Sequence, residues 1–224
     1  MPIKNTCVII FFLFVASCAS IGTSLGSVAP AYVDAYKTIK GVIVGYENEL
    51  ITPDLIKNIP FASSTLKIGK GASGLIILES KEEELETWVS SDGVYLIFKE
   101  GRIVKTSGFF NNLINFKSVE TNFASLIDTN ESESLVYYYS YDDPKLIDMR
   151  VQASRRFVAK EKVQLLDREE ELNLIEEQIV NHYIGWEVTN KFWIDDDMFV
   201  WKSEQYISPK LPKFYIEVTK KPAG

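Results

Sequence analysis

Few side chains in this sequence could do chemistry. Its two thiols, Cys7 and Cys18, lie near the N terminus, and its single imidazole, His182, lies far along the chain. Cys18 closes the run Val15-Ala16-Ser17-Cys18, one apolar and two small residues ahead of a sulfur that could be alkylated. A histidine triad could exist only around His182, and no Gly-x-Ser-x-Gly elbow names a nucleophile for it, so it reads as structural or solvent-facing. Asp195-Asp196-Asp197 lacks the ligand spacing of a calcium loop and reads as a solvated turn. With 31 Asp and Glu residues, a carboxylate pair of the kind that hydrolyses glycosides carries no information. Gly69, Gly71 and Gly74 open no Gly-Lys-Ser/Thr helix and read as hairpin glycines. The reading therefore names no catalytic residue and no metal site.

Recognition chemistry is better represented. Trp193 and Trp201 could stack on sugar rings, in company with Trp88, Trp186 and the run Tyr137, Tyr139, Tyr141. Asn111, Asn112, Arg155 and Gln205 could hydrogen-bond hydroxyls or pair with acidic groups. These six, Trp193, Trp201, Gln205, Asn111, Asn112 and Arg155, are the candidate glycan or partner contacts.

The element that positions Cys18 is a secretory signal: a short positive start ending at Lys4, the apolar run Val8 to Val15, then small residues. The run is too short to cross a bilayer, which takes about 20 apolar residues as a helix. Apolar, small, small, Cys resembles the bacterial lipobox, in which the thiol receives diacylglycerol, the signal is cut before it and the new amine is acylated. Cys18 then becomes the first residue, carrying a covalent diacylglycerol and a palmitate-type N-acyl chain. No other cofactor is expected. Each buried methylene adds about 0.8 kcal/mol, so three chains hold far harder than one. Ala19 stands where an inner-membrane retention signal would place Asp, which points to the outer membrane, with the globule facing the periplasm.

Removal of the first 17 of the 224 residues leaves 207, enough for a sizeable core. The net charge of −7 disfavours nucleic acid, which needs a basic patch. With Cys7 cut away and Cys18 lipidated, no thiol remains for a disulfide, a nucleophile or a metal site. The division expected is a signal peptide over 1–17, a lipidated N-terminus and flexible tether over 18–27, and one β-rich domain over 28–224.

Along that domain, Tyr32, Tyr36 and Ile39 recur at helical spacing and predict an amphipathic helix near 30–44. Thr52-Pro53-Asp54 predicts a second, short one that ends by Pro60. From Phe61 onward β-branched and aromatic runs alternate with turn residues, Asp92-Gly93 and Glu100-Gly101 among them. Strands are expected over 61–68, 75–79, 86–89, 94–98 and 102–106, then 135–141, 149–158, 162–166, 186–194, 199–206 and 214–218. Phe109 to Leu113 reads as an irregular connection and Asp128 to Ser134 as a polar loop. Residues 168–181 fit a helical period slightly better than a strand. The fold class expected is mainly β: a single antiparallel curled sheet or sandwich with one or two short N-terminal helices.

Phe192-Trp193-Ile194-Asp195, Val200 to Tyr206, Pro209, Leu211-Pro212 and Tyr215-Ile216-Glu217-Val218 resemble the C-terminal signature of the YjbF/GfcB family. These are outer-membrane lipoproteins of capsule and exopolysaccharide operons. The likeness continues upstream through Ile59-Pro60-Phe61-Ala62-Ser63, Trp88-Val89, Gly101 to Thr106 and Asn111-Asn112-Leu113. It implies strands rather than helix over 161–166 and 171–180. It also implies a hairpin glycine in the turn at 195–198, where this chain has none. The function implied is a non-catalytic accessory role in exopolysaccharide or capsule secretion or assembly. Its partners would be the membrane, reached through the lipid anchor, and polysaccharide-export proteins or the polysaccharide itself, with no nucleic acid. The alternatives weighed are a periplasmic binding or carrier module for an apolar or glycan ligand, and a glycan-processing enzyme.

Overall fold

The structure, a computed structural model, describes residues 51–118, 123–129 and 131–222. The expected signal peptide, Cys18, the expected tether and the helix expected near 30–44 lie outside the described residues. Two short helices and twelve strands follow. Helix α1 (Pro53–Lys57) starts where Thr52 accepts the Leu55 N–H at 3.3 Å through its hydroxyl, with Pro53 in the first turn and Asp54 beside the exposed amides.

The strands are β1 (Ser63–Ile68), β2 (Ser73–Glu82), β3 (Leu85–Ser90), β4 (Tyr95–Lys99), β5 (Arg102–Ser107) and β6 (Leu113–Lys117). Helix α2 (Ala124–Thr129) comes next. After it run β7 (Glu133–Tyr141), β8 (Leu146–Gln164), β9 (Glu169–Asn181), β10 (Trp186–Ile194), β11 (Val200–Gln205) and β12 (Phe214–Lys220).

All twelve form one antiparallel sheet in the order β5-β4-β3-β2-β1-β12-β11-β10-β9-β8-β7-β6. Read round the sheet, every neighbour is also a sequence neighbour except β1 and β12, whose ladder runs from Ser63–Lys220 to Ile68–Phe214. The two ends, β5 and β6, face each other and nearly close the sheet into a barrel. Across that seam the Leu113 N–H donates to the Thr106 hydroxyl at 2.9 Å.

Alternation sorts most of the side chains. On β7, Tyr137, Tyr139 and Tyr141 turn inward and are buried while Tyr138 turns outward; on β8, Met149, Val151, Ala153 and Arg155 are buried and Arg150, Gln152, Ser154 and Arg156 are exposed. The interior is filled by side chains from the whole wall, among them Leu66, Trp88, Leu96, Leu113, Ile179 and Phe214. Helix α2 plugs one end by placing Phe123 and Leu126 against Ile175, Phe192, Ile194 and Val200.

The expected curled antiparallel sheet is present, with differences in detail. The stretches expected at 149–158 and 162–166 are one 19-residue strand, β8. Residues 113–117, beyond the expected irregular connection, form β6, and α2 occupies the approach to the expected polar loop. As the family likeness implies for 171–180, residues 169–181 are strand in spite of their helical period. Twelve register partners on β8, from Gln152–Val180 to Gln164–Glu169, outweigh the weak local preference.

At Phe157/Ala159 a β-bulge leaves Val158 without a partner, and beyond it the β8–β9 hairpin bends. Its tip lies on the outer face of β10 and β11, where Val163, Leu165, Leu172 and Leu174 cluster with Trp193 against Trp201. A second bulge, at Trp201, lets Trp201 and Lys202 share that outer face, since Trp193 pairs with Lys202 while Ile194 pairs with Val200. The β10–β11 turn closes without glycine. Met198 takes the left-handed conformation (φ +65°), and the Asp195 carboxylate accepts the N–H groups of Asp197 (3.0 Å) and Phe199 (2.8 Å). A short acidic side chain thus does the work that a turn glycine does elsewhere.

Candidate functional site

One register row carries most of the buried charge. Glu133 on β7 pairs with Arg155 on β8, Arg155 with Glu177 on β9, and Glu177 with Asn190 on β10. All four point into the barrel. From the far wall, at the start of β5, Arg102 reaches across to Glu177. Its Nη1 donates at 2.9 Å to Oε2 and its Nη2 to Oε1, the planar two-point geometry that a guanidinium offers a carboxylate. Tyr137 Oη donates to Oε1 at 2.6 Å and Asn190 Nδ2 to Oε2 at 3.0 Å, so Glu177 accepts four hydrogen bonds.

Aromatic rings enclose the cation. The Arg102 guanidinium lies 5.0–5.3 Å from the ring centroids of Phe192, Tyr137 and Phe116, an attraction that strengthens when water is absent. Its Nε alone has no hydrogen-bond partner. Burial pushes the Glu177 carboxyl up, but the Arg102 charge and the donated hydrogen bonds outweigh it and hold the group below the usual carboxylate range. Burial raises the Tyr137 phenol, which therefore stays protonated and donates. This cluster is closed to solvent and, Arg102 Nε apart, satisfied by its own partners, so its chemistry is that of a structural brace between opposite walls.

The six expected contact residues fall into three places. Arg155 and Gln205 are interior: Arg155 is fully buried, donates through Nε and Nη2 to Glu133 Oε2, and lies over the Phe123 ring at 5.3 Å. Gln205 takes the Ile103 N–H at 3.0 Å and donates to the Gly101 carbonyl at 2.8 Å, tying β11 to β5 through the interior. Asn111 and Asn112 knot the β5–β6 connection to neighbouring loops. Asn111 donates to the Asp143 carbonyl at 2.7 Å and accepts from the Ser208 hydroxyl. Asn112 donates from Nδ2 to Asp142 at 2.7 Å and to the Phe109 carbonyl at 2.9 Å.

Trp193 and Trp201 lie under the folded hairpin tip. The Trp193 indole is buried and donates to Glu161 at 2.6 Å. Trp201 stays half-buried, donates to Asp195 at 2.8 Å and lies 4.4 Å beneath the Arg168 guanidinium. A cleft beside Trp201, walled by Trp88, Phe98, Phe199 and Lys202, leaves about 90 Å³ open to water. The structure thus does not bring the six together. Arg155, Asn111 and Gln205 are turned inward with their polar atoms engaged, while Trp201 and Asn112 retain exposed surface.

Elsewhere, His182 is exposed in the β9–β10 turn, and Asp196 in the acidic turn accepts from Lys160 at 2.9 Å. Among the described residues no cluster of His, Cys, Asp or Glu could hold a metal ion, and no helix is long and apolar enough to cross a membrane. Reasoning from the sequence missed Arg102, Glu177 and Glu133, although Glu177 falls on the buried alternation Ile175, Glu177, Ile179.

The depressed carboxyls set an acid limit on stability. Glu177, Glu176 and Asp142 all lie below their ordinary values of 4.5, 4.5 and 3.8. For Glu176 the Arg156 hydrogen bond dominates; for Asp142 burial raises the carboxyl and the hydrogen bonds from Asn112 more than reverse it. A folded pKa below the unfolded one means stability that is complete above the unfolded value and is lost as pH falls through the folded one. Glu217, raised by burial, has the opposite sign, and its contribution fades as pH rises above its ordinary 4.5. Thermal melts should therefore show Tm dropping as pH goes from about 6 to about 3. A flat profile would contradict an ionised Glu177 in the native barrel.

Comparison with known proteins agrees with this architecture. Residues 36–219 match the family described as group 4 capsule polysaccharide lipoprotein gfcB, YjbF. The chain is 22% identical over 208 residues to lipoprotein YjbF of Escherichia coli (strain K12), covering 91% of this chain and 92% of that one. With lipoprotein GfcB of the same organism it shares 27% identity over 105 residues, 47% of this chain and 44% of the relative. In fold it is similar to the crystal structure of the hypothetical lipoprotein YmcC from Escherichia coli (K12), with a TM-score of 0.64, 19% identity and coverage of 79% of this chain and 91% of that one. With the family pattern matched from before the first described strand to the end of β12, the chain belongs to the YjbF/GfcB family of group 4 capsule polysaccharide lipoproteins.

Proposed function

We propose that this protein is a lipid-anchored outer-membrane accessory of capsule or exopolysaccharide secretion or assembly, held at the periplasmic face through Cys18, and that it acts by binding rather than by catalysis. The observation that carries the reading is the family match across 36–219, together with the Val15-Ala16-Ser17-Cys18 acceptor sequence ahead of it. The interior supports it: the buried ionisable groups brace the barrel walls, and a charged pair at the centre leaves an apolar passenger poorly served. Partners are export proteins or the polymer itself.

The test is polymer output, secreted and cell-associated, in strains carrying wild type, a deletion and Cys18→Ala. Output should fall in the deletion and fail to recover with Cys18→Ala, whose chain cannot receive the diacylglycerol. Unchanged output in all three strains would overturn the capsule role. Full rescue by Cys18→Ala would overturn the need for the anchor.

A further inference from the structure

The outer face of β7–β10 presents a different surface from the interior. Its side chains fall in rows at right angles to the strands. The central row is Ser134, Ser154, Gln178 and Thr189, and next to it runs Val136, Gln152, Val180 and Glu187. Short hydroxyl and aliphatic side chains at five of these eight positions keep the rows low. On one side rise Arg156, Glu176 and Lys191; on the other stand Tyr138 and its register partner Arg150. The result is two adjoining hollows of about 300 and 470 Å³ that share Ser154 and Gln178. Both are far roomier than the 90 Å³ cleft beside Trp201.

Three cations face two carboxylates here, on a chain whose net charge is −7. Arg156 and Lys191 share Glu176, at 2.7 and 3.2 Å, and Gln178 donates to Glu187 at 2.8 Å. Arg150 is exposed on the opposite wall, with Tyr138 as its neighbour.

We propose that this trough is the binding site for an extended acidic polysaccharide. Strands about 4.8 Å apart repeat hydroxyl and amide groups on the scale of a sugar ring. The guanidinium groups of Arg150 and Arg156 pair with carboxylates along the polymer, and the Tyr138 ring supplies an apolar face for a sugar. The proposal rests on the polysaccharide role above and names the site and the charge class of the ligand.

The full-length lipoprotein in detergent micelles is titrated calorimetrically with polygalacturonate and, separately, with neutral dextran. Wild type should bind polygalacturonate more tightly than dextran, and Arg150→Ala/Arg156→Ala should weaken polygalacturonate binding at least about tenfold. Ser154→Trp, a bulky residue on an exposed strand position at the floor, should abolish binding while the melting temperature holds. Wild type that does not bind polygalacturonate, or variants that bind it like wild type, would overturn the trough. In cells the same variants, with Cys18 intact, separate the two readings. A deletion that lowers output and a trough variant that restores it would leave the capsule role standing and remove the trough. A deletion without effect on output would remove the capsule role, while the titration decides the trough on its own.

Discussion

Glu177→Ala should cost about 3–5 kcal/mol of folding stability, because it strands a buried guanidinium without its counter-charge. Arg102 is buried in the barrel among three aromatic rings. The same change removes the acceptor of Tyr137 Oη and Asn190 Nδ2, each a buried donor that costs about 1–3 kcal/mol when left unmade. Against a typical total of about 5–15 kcal/mol, the single variant should be marginal or unfolded at 37 °C. Removing both charges together, as Arg102→Met/Glu177→Leu, should recover the part of the loss that comes from the stranded charge, since a hydrophobic replacement of a buried pair is often neutral or better, while Tyr137 Oη and Asn190 Nδ2 stay without their acceptor. Urea unfolding of the two variants decides the matter. A single variant within about 1 kcal/mol of wild type would mean that the pair is not held inside the folded barrel.

Gly101→Ala should be the next most damaging change, at about 3 kcal/mol, from two independent causes. Gly101 and Glu100 both have positive φ, +74° and +49°, as a two-residue hairpin joining β4 to β5 requires, and alanine there is strained. In addition, a Cβ at 101 would lie 2.4 Å from Val200 Cβ, a β-branched side chain at the start of β11 that cannot swing away. Combining Gly101→Ala with Val200→Gly removes the Cβ and both methyls that the new side chain would meet and leaves the backbone cost. The double variant should therefore lose less than the sum of the two single losses. Simple additivity in chemical denaturation would show that β11 does not press on this turn.

These two positions show what alternation and turn chemistry can and cannot disclose. Glu100-Gly101 is legible as a turn from residue type alone; that the same glycine also admits Val200 from a strand a hundred residues later is not, because close approach is a property of the closed barrel. Likewise Tyr137, Tyr139 and Tyr141 declare one face by their spacing. Arg155 falls on the buried alternation Met149, Val151, Ala153, so its position in the strand turns it inward although its charge alone suggests solvent. Asn111, Asn112 and Gln205 show a related limit: an amide that satisfies loop and backbone groups has the same side chain as one that meets a ligand. Strand β6 was missed because Leu113 to Lys117 is short and follows Asn-rich turn residues, and its partner Tyr141 to Tyr138 is what makes it a strand. The trough is visible only once register sets Ser134, Ser154, Gln178 and Thr189 side by side.

The place where the barrel is stitched has a kinetic consequence. Successive hairpins can each form from neighbouring sequence, but where β1 meets β12 the Ser63 hydroxyl bonds that of Thr219, 156 residues away. Closing so long a loop is entropically expensive compared with closing a hairpin. The barrel therefore completes its wall last, and only after the final strand has been delivered. Until then β1 carries an open edge, so a chain truncated before Phe214 should persist as an open, aggregation-prone sheet rather than as a smaller barrel.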